Sequence, residues 1–227
     1  VDVIRPRTWQ ECRDFACFLG GGNPALNDDA PYSMAHYEYV TQMYGDPSAV
    51  LQKYDTIFVD SITVAGRLCF THNQNQPEAR SERNGRLDTR AVYGMQGREM
   101  MAWLTHLQHI REKNVIFVGI LDEKTDEYGR MNYELQIEGS KTGRELPGIV
   151  DEVITMATLA SDEGNMFRAF ICDNLNKWGY PAKDRSGRLE PIEEPHLGKL
   201  FEKMSGPRPE GMQFVNPTTV TIAEGES

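Results

Sequence analysis

The sequence predicts an α/β domain with a mainly parallel sheet flanked by helices and an appended C-terminal β region. Three observations lead there. Thr56–Val59 and Val115–Leu121 are short apolar runs without alternation, the pattern of strands buried on both faces of a parallel sheet. Helical patterns lie before and between these runs. From Val153 onward, strand-like runs cluster instead of alternating with helices.

In chain order, Val1–Ile4 reads as the end of a strand. Thr8 then opens a helix, with Glu11 three residues on in a capping-box pattern. The run Gly20-Gly21-Gly22-Asn23-Pro24 ends it. Ser33 to Tyr44 reads as a second helix, stopped by Gly45-Asp46-Pro47. After the first strand a helix is expected from Ile62 to Thr71, with Ser61 available as its N-cap. Residues 72–92 are polar and rich in Arg, Asn and Gln, which predicts a mobile loop. Gly94–Glu112 carries Met100, Trp103, Leu104, Leu107 and Ile110 at helical spacing, so an amphipathic helix is expected. Asp122–Glu138, with a turn at Tyr128-Gly129-Arg130, forms either a hairpin or a flexible loop. Pro147-Gly148 precedes a stretch that turns strand-like at Val153–Met156; Phe167–Cys172 is a further strand and Pro195–Met204 a short helix. One domain over residues 1–204 and a loosely attached tail over residues 205–227 follow from this pattern.

At 227 residues the chain supports one sizeable core, and its 39% hydrophobic and 26% charged content is ordinary for a globular protein. No apolar run approaches membrane-spanning length and the first residues are not a signal peptide, so no membrane association is expected. Cys12, Cys17, Cys69 and Cys172 form no CxxC pair, and reduced cysteines in a cytoplasmic protein are the plain reading. A net charge of −10 gives no overall attraction to nucleic acid. DNA binding would need a local patch, and Arg80, Arg83, Arg86, Arg90 and Arg98 against Glu82 and Asp88 supply a local +3.

The chemistry centres on Asp60. An apolar strand ending in Asp delivers a carboxylate to the C-terminal edge of a parallel sheet, where α/β folds bind ligands. Taken alone, a strand-end or cap residue is the plainer reading. Further on, Lys183 and Arg185 are two apart, so on a strand they share a face, and two cations there can neutralise phosphate charge. The plain alternative is a solvated basic strand end. Cys69, His72, His106 and His109 have helical i, i+3 spacing but edge apolar stripes, which disfavours zinc. Glu193-Glu194-Pro195-His196 fits a turn and cap better than an acid/base set. Asp151-Glu152 fits a cap or strand start, with contact to a nucleotide or a neighbour as the alternative. Trp9 and Trp103 read as core residues, and Trp178 as a residue shaping the approach to Lys183.

Four segments carry a family resemblance: YDTIFVDSITV, MMAWLTHLQHIREKNVIFVGILDE, ELQIEGSKTGRELPGIVDEVITM and WGYPAKDRSGRLEPIEEPHLGKL. In that order they resemble the RecA/RadA superfamily of P-loop ATPases. The likeness is greatest to the RecA-like ATPases of bacteriophages known as nucleotide-binding or annealing-associated recombinases, and it covers roughly residues 50–204. The resemblance implies a RecA-like core, with Asp60 as the Walker B aspartate near Mg2+ through water and Ser61 beside it at the ATP site. Lys183 and Arg185 match the pair that such proteins insert into a neighbour's ATP site. Hydrolysis at a subunit interface follows, and with it a homo-oligomer, ring or filament. Residues 72–93 and 122–142 lie where the family places its two DNA-binding loops, with Arg80, Arg83, Arg86 and Arg90 meeting single-stranded DNA in recombination or repair. The location implied is the cytoplasm of a bacterial host cell.

The chain departs from the family in two places. It contains no GxxxxGK followed by Ser or Thr, and Gly139-Ser140-Lys141-Thr142-Gly143 has the wrong gap and follows the Walker B strand. The Walker A segment and its strand are therefore expected upstream of the position of Val1, together with the catalytic glutamate. A chain without that strand is expected to be marginally stable or prone to aggregate. The second departure is charge: residues 122–138 hold six acids against Lys124 and Arg130, a net −4 that weakens the second loop's DNA assignment. The competing reading is a P-loop-less RecA-like oligomerisation or DNA-binding module without ATPase activity; an ATPase of replication or packaging is a third.

Overall fold

Thr8 begins the ordered architecture as the sequence predicts. In the computed structural model, which describes residues 1–125, 128–129, 131–174 and 176–207, its hydroxyl accepts a hydrogen bond from the Glu11 N–H (3.1 Å) and caps helix α1, Trp9–Gly20. Gly21, at φ 80°, ends that helix in a conformation that a side chain would strain. Ser33 caps α2 (Met34–Tyr44) in the same way, and α3 (Ser48–Lys53) follows Pro47. Val1–Ile4 is not a strand: no backbone ladder forms there, and Val1, Val3 and Ile4 are exposed.

Strand β1 (Thr56–Asp60) pairs in parallel with β2 (Asn114–Val118), the register matching Ile57 with Val115 and Asp60 with Val118. Between them lie α4 (Ile62–Gln74), a 3-10 turn at Pro77–Ala79 and α5 (Thr89–Gln108). The mobile-loop expectation for residues 72–92 fails. Helix α4 runs three residues past its predicted end, and the Ser81 N–H donates to Arg86 O while the Asp88 N–H donates to Ala79 O. Ala79 is fully buried and Asp88 caps α5, so backbone bonds order a segment whose side chains are polar.

Strand β2 leads into a hairpin, β3 (Leu121–Thr125) with β4 (Met131–Leu135), turned at Gly129 with φ 78°. This settles the hairpin-or-loop alternative; Asp126, Glu127 and Arg130 lie outside the described residues. Helix α6 (Ser140–Ile149) contains Pro147. These elements, with residues 177–180, form one compact unit. Its core joins Trp9, Cys12, Ala16 and Cys17 of α1, Ile62, Ala65 and Cys69 of α4, and Met100, Trp103, Leu104 and Leu107 of α5. The helical 3–4 spacing on α5 sets this contact face. Trp9 and Trp103 meet at 5.5 Å between ring centroids, worth about 0.5–1.5 kcal/mol beyond burial. Their indoles donate to Glu99 Oε2 (2.8 Å) and to Cys12 O (2.9 Å).

The strands do not sit with both faces buried. Ile57, Val59, Val115 and Phe117 pack against the helical core, but Phe58 is 52% exposed. Sequence periodicity cannot separate these cases, because β1 is apolar on both of its faces.

The second unit comprises Asp151–Asn176 and the chain from Pro181. Its pairings are antiparallel: β5 (Glu152–Val153) with β8 (Lys183–Asp184), and β6 (Thr155–Ala160) with β7 (Met166–Ile171), which also pairs β9 (Ile192–Glu193). Thr155, Ala157, Ala169 and Ile171 form its buried face. Helix α7, Leu197–Ser205, is capped by His196, whose Nδ1 accepts from the Lys199 N–H at 3.1 Å. This is the appended β region that the sequence predicts. The tail expected over residues 205–227 lies outside the described residues from 208 onward.

Candidate functional site

Asp60 is the last residue of β1, so strand polarity puts its carboxylate at the C-terminal edge of the parallel pair. It is exposed, and among the described residues its carboxylate makes no hydrogen bond or ion pair. The peptide between Asp60 and Ser61 is cis. Ser61 then caps α4, its Oγ accepting from the Val64 N–H at 3.3 Å. That bond leaves the Ser61 O–H free to donate.

The neighbouring end of β2 is tied to the same turn. The Ile120 N–H donates to Thr63 Oγ1 (3.2 Å), and Thr63 is buried. The Gln136 N–H donates to Ile120 O (2.8 Å), and Arg67 Nη2 donates to Gln136 Oε1 (3.2 Å). At Gly119 a Cβ would sit 2.7 Å from Leu135 Cδ2 and 3.2 Å from Ile62 Cγ1, so these side chains would have to move to admit one. Sequence reasoning missed Thr63 and Gly119, since their roles rest on contacts between β2 and α4. The edge is thus a fixed backbone floor with one unneutralised carboxylate on it.

Lys183 and Arg185 lie in the second unit. Lys183 is in β8 opposite Val153, and Arg185 falls just past the strand's end, so the two do not share one strand. Arg185 Nη1 pairs with Asp151 Oδ1 at 2.6 Å. The Arg185 and Ser186 N–H groups donate to the two oxygens of Glu152 (3.2 and 3.3 Å). Asp184 accepts from Ser186 Oγ (2.5 Å), the Gly187 N–H (3.0 Å) and the Leu189 N–H (2.8 Å). Burial, then the facing Asp184 carboxylate, pushes Glu152 up to about 7. Burial opposes ionisation of Asp184, but its hydrogen-bond donors outweigh that and hold it below its usual range. The Glu152–Asp184 pairing was invisible in the sequence, because only the register of β5 on β8 creates it.

Arg80, Arg83, Arg86 and Arg90 are exposed on the turn before α5 and its first residues. Among the described residues none of their guanidinium groups has an acidic partner; Arg80 Nη2 reaches only Gln74 O, at 3.5 Å. In the β3–β4 hairpin, Lys124 pairs with Glu134 (2.9 Å) and Tyr133 Oη donates to Glu123 (3.3 Å).

Cys69 is buried and accepts from Asn73 Nδ2 (3.4 Å), while His106 stacks on Tyr32 at 4.4 Å. Among the described residues no group of three His, Cys, Asp or Glu side chains is placed to hold a metal ion. Glu193 and Glu194 pair with Lys203 and Lys199, and His196 is a helix cap. The ring of Trp178 carries Lys177 Nζ 4.8 Å from its centroid. No helix among the described residues is long and apolar enough to cross a membrane.

In a comparison with known families, the AAA domain family matches residues 1–186. The chain belongs to that family. The AAA domain is a P-loop NTPase-like module, which gives the chain a nucleotide-binding, ATPase-like character and makes nucleotide and Mg2+ its expected ligands. The donors at the β1 edge fit such a metal, since Mg2+ takes hard oxygens and is usually held by one or two carboxylates plus phosphate and water. No curated protein and no solved structure matches the chain.

Proposed function

We propose that this AAA domain is part of a RecA-like, phage-type ATPase that binds MgATP at subunit interfaces and acts on single-stranded DNA in recombination or repair. The observation that carries the reading is Asp60: an exposed carboxylate, without a partner among the described residues, at the C-terminal edge of the parallel pair and followed at once by a capped helix. A carboxylate with no structural partner there is available to a cation.

In this reading Asp60 holds the water shell of Mg2+, with the Ser61 hydroxyl beside it. Bound there, Mg2+ would supply positive charge to offset that of the phosphates. Lys183 and Arg185 of one copy serve the nucleotide of its neighbour, which makes the assembly a ring or filament. The exposed guanidinium groups of Arg80, Arg83, Arg86 and Arg90 meet the phosphates of the strand, giving a local electrostatic footprint on an acidic chain.

The test uses the full product of the reading frame. Wild type is expected to hydrolyse ATP faster with single-stranded DNA present, and Asp60→Asn to abolish that hydrolysis. Unchanged hydrolysis in Asp60→Asn, or in a Lys183→Ala, Arg185→Ala double variant, removes the respective role. A second reading is favoured by the arginine turn itself, which owes nothing to Asp60: a DNA-binding or oligomerisation module without hydrolysis. Tight DNA binding indifferent to both ATP and Asp60→Asn selects it.

A further inference from the structure

The segment that bears Lys183 and Arg185 is gripped in two unequal ways. Its backbone is held firmly. Both oxygens of Glu152 accept main-chain N–H groups, from Arg185 and Ser186, and Asp184 accepts from Ser186 Oγ and the Gly187 and Leu189 N–H groups. Asp184 is held in its ionised form, and bonds to an ionised acceptor are about twice as strong as neutral ones. Glu152 and Asp184 face each other across β5–β8, so the two carboxylates clamp one turn from both strands. The tip is held loosely. Arg185 meets Asp151 at 2.6 Å, but the two side chains are 63% and 59% exposed. A pair so exposed contributes about 0–1 kcal/mol and is weakened by salt. A guanidinium prefers a bidentate phosphate or carboxylate to a single solvated contact, so a polyphosphate is a competent rival for it.

We propose that Glu152 is a positioning residue that fixes the base of the Lys183–Arg185 segment, and that Asp151 is the exchangeable counter-ion that occupies Arg185 until a nucleotide phosphate replaces it. The inference rests on the reading that Arg185 serves a nucleotide. It adds what holds the side chain beforehand: a rigid base sets where the tip can go, and a weak resting partner keeps it from binding other anions without hindering its transfer.

The test titrates MgATP into the full chain and follows the Arg185 side-chain Nε–H resonance by NMR. Asp151→Asn is expected to lower the half-saturation concentration about two- to fivefold, the equivalent of losing one weak competing pair. Asp151→Ser is the second variant, and as a change at an exposed side chain neither should alter the amide spectrum of β6 and β7. In a separate measurement, Glu152→Ala is expected to speed hydrogen exchange at the Ser186 amide at least tenfold. The Arg185 N–H also donates to Asp151 O at 3.3 Å, so the Ser186 amide is the one that reports the loss of Glu152.

If MgATP shifts Arg185 in wild type while both Asp151 variants keep the wild-type midpoint, the counter-ion role is overturned and the finger reading stands. Unchanged Ser186 exchange in Glu152→Ala overturns the positioning role. Should MgATP leave Arg185 unmoved in wild type, the finger reading fails and takes the inference with it.

Discussion

Replacing His106 by Phe removes a proton-binding group that acts only in the unfolded chain across the mildly acidic range. His106 sits on α5 with its ring stacked on Tyr32 at 4.4 Å, and a Cβ on Gly20 would come within 2.6 Å of its Nε2. That nitrogen is buried without a hydrogen-bond partner. Burial lowers the imidazole from 6.5 to about 4; a hydrogen bond to the Ala16 backbone opposes the shift, and His36 and His109 add to it. Between pH 6.5 and about 4 the unfolded chain therefore binds a proton that the folded chain refuses, so stability falls on acidification. A shift of that size corresponds to at most about 3 kcal/mol, and partial exposure of the ring reduces the expectation to about 1–2 kcal/mol. His72, also lowered by burial and by Arg13, works in the same direction.

His106→Phe keeps the stack on Tyr32 and loses the Ala16 bond, costing about 1 kcal/mol at pH 7.5. At pH 4.5 it should be as stable as wild type or more so. Urea unfolding followed by tryptophan fluorescence reads this directly, because Trp9, Trp103 and Trp178 all lie in the first unit. If the variant loses as much stability as wild type between pH 7.5 and 4.5, the assignment of the acid response to His106 is wrong.

Three further outcomes are expected. Glu152, raised to about 7 from 4.5, holds a proton in the folded state that the unfolded chain has released. The second unit therefore loses stability as pH rises from 4.5 to 7. Around Glu152 are the Asp184 carboxylate, the Arg185 and Ser186 backbone N–H groups and the Cys172 thiol, and Asp184, shifted the other way, titrates below this window. Hydrogen exchange of β6–β7 amides, corrected for intrinsic rate, should show that trend in wild type and not in Glu152→Gln. Gly119→Ala, which drives a Cβ into Leu135 and Ile62, should cost about 1–3 kcal/mol in urea unfolding; no loss would mean that the β2 end is looser than described. The Arg83→Ala, Arg86→Ala, Arg90→Ala triple variant should flatten the salt dependence of single-stranded DNA binding by about 2 in log–log slope, and an unchanged slope would place the DNA elsewhere.

The sequence was most legible where a side chain acts on its own backbone. Thr8 and Ser61 were readable as caps because a hydroxyl before a helical pattern has a local job, and both cap helices here. The strand ending at Asp60 was readable for the same reason, since its apolar run and its terminus are contiguous. What failed depends on partners distant in sequence. Polar side chains over residues 72–92 suggested a mobile loop, but the order comes from main-chain bonds and from the buried Ala79. The exposure of Phe58 depends on what covers the sheet, which β1's composition does not encode. Of the candidate site, Asp60 and Ser61 were found at the parallel edge as expected. The ion pair of Arg185 with Asp151 and the clamp by Glu152 and Asp184 needed a strand register that no local pattern specifies.

The claim that Asp60 is the magnesium-associated carboxylate of a nucleotide site is tested most directly by calorimetry of ATP binding, with and without Mg2+, on the full product of the reading frame in wild type and Asp60→Asn. Asp60 has no partner among the described residues, so the substitution should change folding stability by no more than about 0.5 kcal/mol. The account predicts that Mg2+ tightens ATP binding at least tenfold in wild type and that Asp60→Asn abolishes this gain while folding normally. Equal Mg2+-dependent tightening in both proteins would contradict it.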